Sequence, residues 1–202
     1  AGLYHNDGQI LDEFYVWGSF MQSRMHAAGV SCRDCHDPHS MQLVAVGNAL
    51  WTQCHDSSTF DRVEPLHHAA GTPGAACVDC HMASRNYMVV DGRRDHSFRT
   101  PRPDLTATTG SPNACDSCHS EGADWAANRI AEWTQDKDLA SHPGETLARV
   151  RTNEPGSMAL LQAMIKDPRT SAIMRATGIY ELGQRLEPPH MGPLLEAAHD
   201  PA

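Results

Sequence analysis

The order of apolar and polar residues divides the chain into three parts. Near the N-terminus, apolar residues recur at helical spacing between residues 9 and 28 and Gly29 follows them, which predicts an amphipathic helix. Residues 30–120 show no sustained periodicity and contain six prolines, which predicts loops with short helices. Helical periodicity returns from residue 121. The apolar positions of the N-terminal helix are Ile10, Phe14, Trp17 and Met21.

Four further helices are predicted after residue 121. Asp-Pro pairs at 167–168 and 200–201 recur with a period of 33 residues, in agreement with helical-hairpin repeats of the HEAT kind. An ordinary small helical domain would give the same pattern, so both interpretations stay open. The helices are marked by Trp125, Ala126, Ile130 and Trp133, by the stretch GETLARVRT, and by the segments 156–166 and 169–184.

The chain of 202 residues has room for one domain or two small ones. The change in pattern predicts a first domain over residues 1–120 and a second over residues 121–202. Only 4 Phe, 4 Trp and 4 Tyr are present, which is few for the loop-rich first part. We therefore expect something other than side chains to fill the interior of that part.

The charge and hydropathy of the chain exclude two classes of partner. With 25 acidic and 16 basic residues the formal net charge is −9, which argues against nucleic acid. No apolar run approaches the roughly 20 residues that span a bilayer, so no transmembrane segment is expected.

Every cysteine belongs to a motif that ends in histidine. Three CxxC pairs are followed directly by His, and the lone Cys54 is followed by His55. This is the spacing of covalent haem c attachment. Two thiols bond the vinyl groups of one porphyrin, and the next residue ligates the iron. The complete motifs are Cys32, Cys35 and His36; Cys77, Cys80 and His81; and Cys115, Cys118 and His119.

Other uses of paired cysteines explain the pattern less well. A four-thiolate zinc site leaves the trailing histidines unexplained and strands two of the six paired thiols. Thioredoxin-like redox chemistry expects one CxxC near a βαβ pattern. A disulfide framework would use an even number of cysteines, and this chain has 7. The sequence therefore predicts three doubly attached haems c.

Trp51 stands where a fourth motif would have its first cysteine. One thioether from Cys54 together with coordination by His55 is enough to hold a haem, so we expect a fourth, singly attached haem. The alternative is an empty, degenerate site in which Trp51 packs where the porphyrin edge would lie.

Residues 29–55, GVSCRDCHDPHSMQLVAVGNALWTQCH, resemble the doubled-CxxCH module of multihaem c-type cytochromes. In that module the first CxxCH runs into Asp-Pro-His, and a leucine further along precedes the second CxxCH. Residues 37–39, Leu50 and Cys54 with His55 match, and Trp51 is the departure. Residues 77–119 and the opening residues 2–32 are similar to larger multihaem cytochromes with further haem motifs upstream and TPR- or HEAT-type repeats downstream.

The resemblance implies a mainly α fold with extensive loops, in which a haem-packed cytochrome c region is followed by a HEAT-like helical region. It implies that the chain corresponds to the later part of such proteins, with the upstream haems lost or carried by a companion chain. It also implies a location in the periplasm, on the cell surface or outside the cell, where haem c is attached.

Low-spin haems need a second axial ligand, and the spare histidines of the haem region are the expected donors. His39, in the Asp-Pro-His element, is the first candidate, and His96 is the second. For each histidine, a solvated surface position is the alternative. The remaining candidates are His67, His68, His26 and His5, with His142 weaker and His190 and His199 expected to be structural or exposed.

Four arginines lie within ten residues of an otherwise acidic chain, at positions 93, 94, 99 and 102. Guanidinium groups bind carboxylates with two parallel hydrogen bonds, so we expect at least one of them to pair with a haem propionate. A solvated loop is the alternative interpretation.

Several haems in about 90 residues must lie close together, because so short a polypeptide cannot insulate them. The sequence therefore predicts an electron-transfer protein that exchanges electrons with redox partner proteins, as a single chain, a homo-oligomer or a filament. The rival is a multihaem reductase of a small nitrogen or sulfur compound, with one open-coordinate iron. A docking scaffold built on the helical repeats is a third hypothesis.

Overall fold

The computed structural model describes residues 2–12, 15–62, 66–87, 89–135, 140–185 and 192. The chain is mainly helical with little sheet, which confirms the predicted fold class at that level. None of the helices in these ranges combines the length and apolar character needed to cross a bilayer. The α-helices are α1 (Val16–Phe20), α2 (Arg24–Ala27), α3 (Ser57–Phe60), α4 (Cys77–His81), α5 (Asp104–Thr109), α6 (Ala123–Thr134), α7 (Pro143–Arg151), α8 (Ser157–Lys166) and α9 (Ala172–Gly183).

The first part of the chain consists of short elements joined by loops, as its prolines predict. Three 3₁₀ turns cover Cys32–Asp34, Gly47–Leu50 and Cys115–Ser117. One antiparallel hairpin joins β1 (Ser84–Tyr87) to β2 (Asp91–Arg94).

The predicted N-terminal helix over residues 9–28 is wrong in extent. Ile10 is buried in an isolated β-bridge with Tyr4, and only the short helices α1 and α2 follow. The hydroxyl of Ser23 accepts a hydrogen bond from the His26 amide and begins α2 as a new helix. Such local side-chain capping competes with a continuous helix. Phe14 lies outside the described residues.

The apolar core lies in the C-terminal part, where the four predicted helices are confirmed as α6 to α9. Helices α7, α8 and α9 pack against one another. Gly178 permits the close approach of α9 to α8, because a Cβ there would lie 2.6 Å from Met164 Cε. The core side chains are Leu147, Val150, Leu161, Met164, Ile165, Met174 and Leu182.

The N-terminal segment docks onto this helical layer through polar contacts. The Asn6 amide donates to the carbonyl oxygen of Thr109 at 2.8 Å and accepts from Arg151 at 2.7 Å. Helix α5 packs against both α6 and α7. Contacts therefore cross the predicted boundary at residue 120, and the division into two domains stays a prediction.

Apolar side chains in the first part lie largely at the surface. Among the described residues, 16 large hydrophobic side chains are exposed, and 13 of them precede residue 91. The deeply buried core cluster, in contrast, lies entirely beyond residue 146. The two parts of the chain thus differ in how much of their apolar surface is buried. Examples from the first part are Trp17, Leu43, Val44, Val46 and Phe60.

The adjacent Leu160 and Leu161 give a matched test of the helical core. Leu161 is fully buried, so Leu161→Ala should lower the free energy of unfolding by about 2–5 kcal/mol through lost burial and a residual cavity. Leu160 is 43% exposed, and Leu160→Ala should change it by about 0.5 kcal/mol or less. Urea unfolding followed by circular dichroism measures both. Equal losses would contradict this core.

Glu181 makes the stability of the helical layer depend on pH. Burial alone would raise the pKa of its carboxyl, but hydrogen bonds from Arg151 and Arg185 outweigh burial and lower the pKa below the ordinary 4.5. A lowered folded pKa means that the contribution of Glu181 is complete above 4.5 and is lost as pH falls through the folded pKa. Glu181→Gln should therefore destabilise the protein more at about pH 7 than at about pH 3. Urea unfolding at both pH values checks this, and an equal effect would contradict it.

Candidate functional site

The four Cys-His segments fold into the same backbone turn. In three of these segments, those that end in His36, His55 and His119, the histidine amide donates to the carbonyl oxygen four residues earlier. The fourth, Cys77–His81, is the complete helix α4. Side chains at the first, fourth and fifth positions of such a turn lie on neighbouring faces. The N···O distances are 2.8 Å for His36 to Cys32, 3.0 Å for His55 to Trp51, and 2.9 Å for His119 to Cys115.

Trp51 therefore occupies the backbone position of a first cysteine without its thiol. Its carbonyl accepts from the amides of both Cys54 and His55. Its ring centroid lies 6.4 Å from that of His55 and 5.9 Å from that of His81. The indole thus lies between two of the four turns.

Polar side chains cap two of the turns at their N-terminal ends. Ser31 and Asp34 form a capping box on the first. The Asn113 Oδ1 atom accepts from the amides of Cys115 and Asp116 at 3.0 and 3.2 Å on the last. These contacts satisfy backbone donors that a turn this short cannot pair internally.

Asn48 connects the Trp51 turn to α4. Its Oδ1 atom accepts from the Cys77 amide at 2.9 Å, and its Nδ2 atom donates to the carbonyl of Ala75 and to Asp61. The sequence motifs did not indicate Asn48, because its side chain is not part of the Cys-His pattern.

The four arginines of residues 93–102 serve different partners. Arg94 donates to the carbonyls of Val78 and Met82 at 3.1 Å and pairs with Asp79, so it clamps α4 from outside. Arg93 and Arg102 pair with the nearby carboxylates of residues 91 and 104.

Arg99 differs from the other three because its buried Nε has no hydrogen-bond partner. It lies 3.8 Å from Asp95 Oδ2, an ion-pair distance too long for a hydrogen bond. The hydroxyl of Ser97, a residue only 4% exposed, likewise has no partner. Both residues line a cavity of about 450 Å³ that also borders Cys80 and His81. The cavity thus presents unpaired donors beside one Cys-His turn.

All seven cysteines are free thiols. Burial raises the pKa of Cys80 to about 11, and the neighbouring thiols of Cys115 and Cys118 add to the shift. Burial, followed by the charges of Asp34 and Cys54, raises the pKa of Cys35. These contributions place the thiols of the first turn near Cys54 and those of the third turn near those of the last. Thiols with raised pKa values stay protonated at neutral pH and are weak redox nucleophiles.

Two of the motif histidines have one ring nitrogen occupied by a backbone carbonyl. The Nδ1 atom of His36 lies 3.2 Å from the carbonyl oxygen of Met41, and that of His81 lies 2.7 Å from the oxygen of Arg99. A carbonyl only accepts, so the proton is on Nδ1 and Nε2 keeps a lone pair for a metal. In His119, Nδ1 lies 3.9 Å from a carboxylate oxygen of Glu121.

The Asp-Pro-His element supports His36 rather than presenting its own histidine inward. Asp37 accepts from the amides of His39 and Ser40, which folds the loop back so that Met41 reaches His36. His39 itself is exposed.

Two pairs of histidine rings have centroids a little more than 6 Å apart. His36 and His96 have ring centroids 6.4 Å apart with 26° between the planes. His68 and His119 have centroids 6.2 Å apart with 54° between the planes. In His68 and His96 Nδ1 lies 2.9 Å from a backbone carbonyl oxygen, and in His36 it lies 3.2 Å from one. Each pair thus joins a motif histidine to one of the predicted distal candidates.

Two of the other candidate histidines contact aromatic rings. His67 stacks on Trp133 at 3.9 Å, and His26 lies edge-on to Trp17 and Phe20. His5 is half-buried, and burial lowers its pKa. Their role as ligands stays a prediction.

His142 borders the same cavity as His81 and begins α7. Its Nδ1 accepts from the Gly144 amide at 3.0 Å, so Nε2 carries the proton and lacks a lone pair for a metal. Burial lowers its pKa. The predicted positions 190 and 199 lie outside the described residues.

In the described ranges, no three His, Cys, Asp or Glu side chains form a group that would hold one metal ion. A haem iron needs at most two protein ligands, one on each face of the porphyrin, so a group of three is not required to hold it. Comparison with protein-family models, with curated proteins and with solved structures gives no match for this chain.

Proposed function

We propose that the chain is a multihaem c-type cytochrome that carries electrons between closely spaced haems. The observation that carries this proposal is the shared fold of four Cys-His turns, each with a free thiol and an imidazole on one turn. Thioether attachment with histidine ligation needs this combination.

The donor set fits four haems c. In each complete motif the two cysteines would each form a thioether with one of the two vinyl groups of a haem; the first cysteines are Cys32, Cys77 and Cys115. Cys54 would form a single thioether. His36, His55, His81 and His119 would ligate the irons. The bound haems supply one-electron redox chemistry, and the chain supplies spacing, ligands and electrostatics.

The surface of the first part favours large apolar cofactors. Apolar side chains before residue 91 are exposed while the same region has few buried ones. A porphyrin face would cover such side chains, and the apolar surface buried in this way would stabilise a region whose short elements bury little. Among them are Met41, Leu43 and Val44, directly after the first turn.

Electron transfer needs neighbouring haems, and the turns are neighbours in chain order. The charge of Cys54 contributes to the raised pKa of Cys35, which supports proximity of the first and second turns. Trp51 and Asn48 link the second to the third. Coupling of Cys80 to the thiols of the last turn links the third to the fourth.

Arg99 is the arginine best suited to a haem propionate. Its Nε is buried beside His81 without a hydrogen-bond partner, at an ion-pair distance of 3.8 Å from Asp95, and the Ser97 hydroxyl lies in the same cavity wall. A carboxylate there would accept from both donors.

Electron donors and acceptors would be other redox proteins, and the chain would work as a single unit, a homo-oligomer or filament, or beside a companion chain with further haems. The location would be the periplasm, the cell surface or the extracellular space, where haem c is attached. These points follow from the haem assignment.

One observation favours the rival function, reduction of a small nitrogen or sulfur compound. Among the described residues, neither His55 nor His81 faces a second imidazole ring at the separation seen for His36. The cavity beside His81 is lined by Arg99 and Ser97, whose donors suit an oxyanion, and also by the carboxylates of Asp7 and Asp95. High-spin signals in the oxidised protein together with turnover of nitrite or hydroxylamine would support the reductase. Wholly low-spin spectra without turnover would support electron transfer alone.

The haem content tests the proposal directly. Protein made in cells with haem c attachment should carry four haems in its intact mass, and Cys54→Ala should lose one, because coordination alone does not hold a haem through denaturation. Trp51→Cys should keep four haems and move the absorption of the reduced pyridine complex to shorter wavelength, because a second vinyl group is saturated.

Three haems in the wild type, unchanged by Cys54→Ala, would mean that the Trp51 site is empty. A wild-type protein without haem would refute the cytochrome proposal altogether.

A further inference from the structure

We infer that His96 is the second axial ligand of the iron held by His36, and that His68 is the second axial ligand of the iron held by His119. The inference rests on the proposed function and goes beyond it by assigning partners to two of the four irons.

The separation of the rings carries the assignment only together with the tautomer of the partner rings, because pairs such as Phe20 and Phe98 also have centroids 6.2 Å apart. With metal–nitrogen bonds of about 2 Å and each ring centroid about 1 Å behind its nitrogen, two imidazoles on opposite faces of one iron have centroids roughly 6 Å apart. The centroids of His36 and His96 are 6.4 Å apart, and those of His68 and His119 are 6.2 Å apart. Direct ring stacking is much closer, as the 3.9 Å between His67 and Trp133 illustrates.

The protonation state of the partner rings agrees with a metal in the gap. The Nδ1 atoms of His96 and His68 are each 2.9 Å from the carbonyl oxygen two residues earlier. The proton therefore stays on Nδ1, and Nε2 offers a lone pair. His142 has the opposite arrangement, because its Nδ1 accepts from an amide.

His96 is held in place by the hairpin that precedes it. It follows β2 by two residues, and Arg94, at the end of β2, is itself fixed on the carbonyls of α4. The Asp95 carboxylate accepts from the Ser97 amide at 2.9 Å and closes the turn around His96. Few rotamers remain for the imidazole, which lowers the entropic cost of ligation.

His68 is held by a glycine. A Cβ on Gly74 would lie 2.8, 2.9 and 3.1 Å from Cδ2, Nε2 and Cγ of the His68 ring. These nearly equal distances place Gly74 over the face of the ring, so that the in-plane lone pair of Nε2 is left clear. Gly74 also has a φ of +86°, which disfavours other residues.

Spectra of single variants with matched histidine controls test the assignment. His96→Ala and His68→Ala should each convert one low-spin haem to high spin, because one iron loses its sixth ligand, while the covalent haem count stays unchanged. Added imidazole should restore the low-spin spectrum. His39→Ala, in the loop that follows His36, and His67→Ala, next to His68, serve as controls and should leave the signals of these two irons unaltered.

Electron paramagnetic resonance can also tell the two irons apart. The angle between ligand planes orients the iron d orbitals, and nearly parallel rings give a more rhombic low-spin signal with a smaller largest g value. His96→Ala should therefore remove the more rhombic signal, from the pair at 26°, and His68→Ala the less rhombic one, from the pair at 54°.

Unchanged low-spin signals in either alanine variant, with haem still attached, would overturn that pairing while leaving the cytochrome proposal intact. Loss of the signal of the 26° pair in His39→Ala, or of the signal of the 54° pair in His67→Ala, would also overturn the corresponding pairing. Absence of haem from the wild-type protein would overturn the proposal and the inference together.

Discussion

One backbone hydrogen bond, from a histidine amide to the carbonyl oxygen four residues earlier, sets the geometry of the Cys-His turns. It brings thiol and imidazole onto neighbouring faces of one turn. The bond does not depend on the side chain at the accepting position, so Trp51 keeps the turn while losing the thiol. The segment around Cys54 is therefore a copy of the other three with one changed side chain, and its backbone is intact.

The two parts of the chain are stabilised by different physical terms. Helices α7 to α9 bury a continuous apolar core around residues such as Leu161 and Leu182. The first part relies on polar clamps, with Asn48 and Arg94 joining segments far apart in sequence. Its apolar side chains remain exposed, and in the proposed function porphyrin surfaces take the place of a protein core.

The proposed electron path follows the chain from the first turn to the last. The inferred second ligands come in the opposite order, because the later histidine, His96, serves the first turn and the earlier one, His68, serves the last. His96, after the hairpin, faces the first turn, and His68 faces the last. The two pairings span overlapping ranges of sequence, so each iron would also cross-link the loops. Under the proposed function, haem binding and folding of the first part would therefore be coupled.

The sequence by itself determined the Cys-His turns, the loop-rich character of residues 30–120 and the helices after residue 121, because these follow from local spacing and hydrophobic periodicity. It failed for the N-terminal helix, where capping by Ser23 competes with the pattern. Only the tertiary structure shows which histidine rings lie near one another: His96 and His68 lie near motif histidines, whereas His39 is exposed. Ring partners are set by where distant segments pack, through contacts such as those of Arg94 and Gly74, and no local pattern encodes that placement.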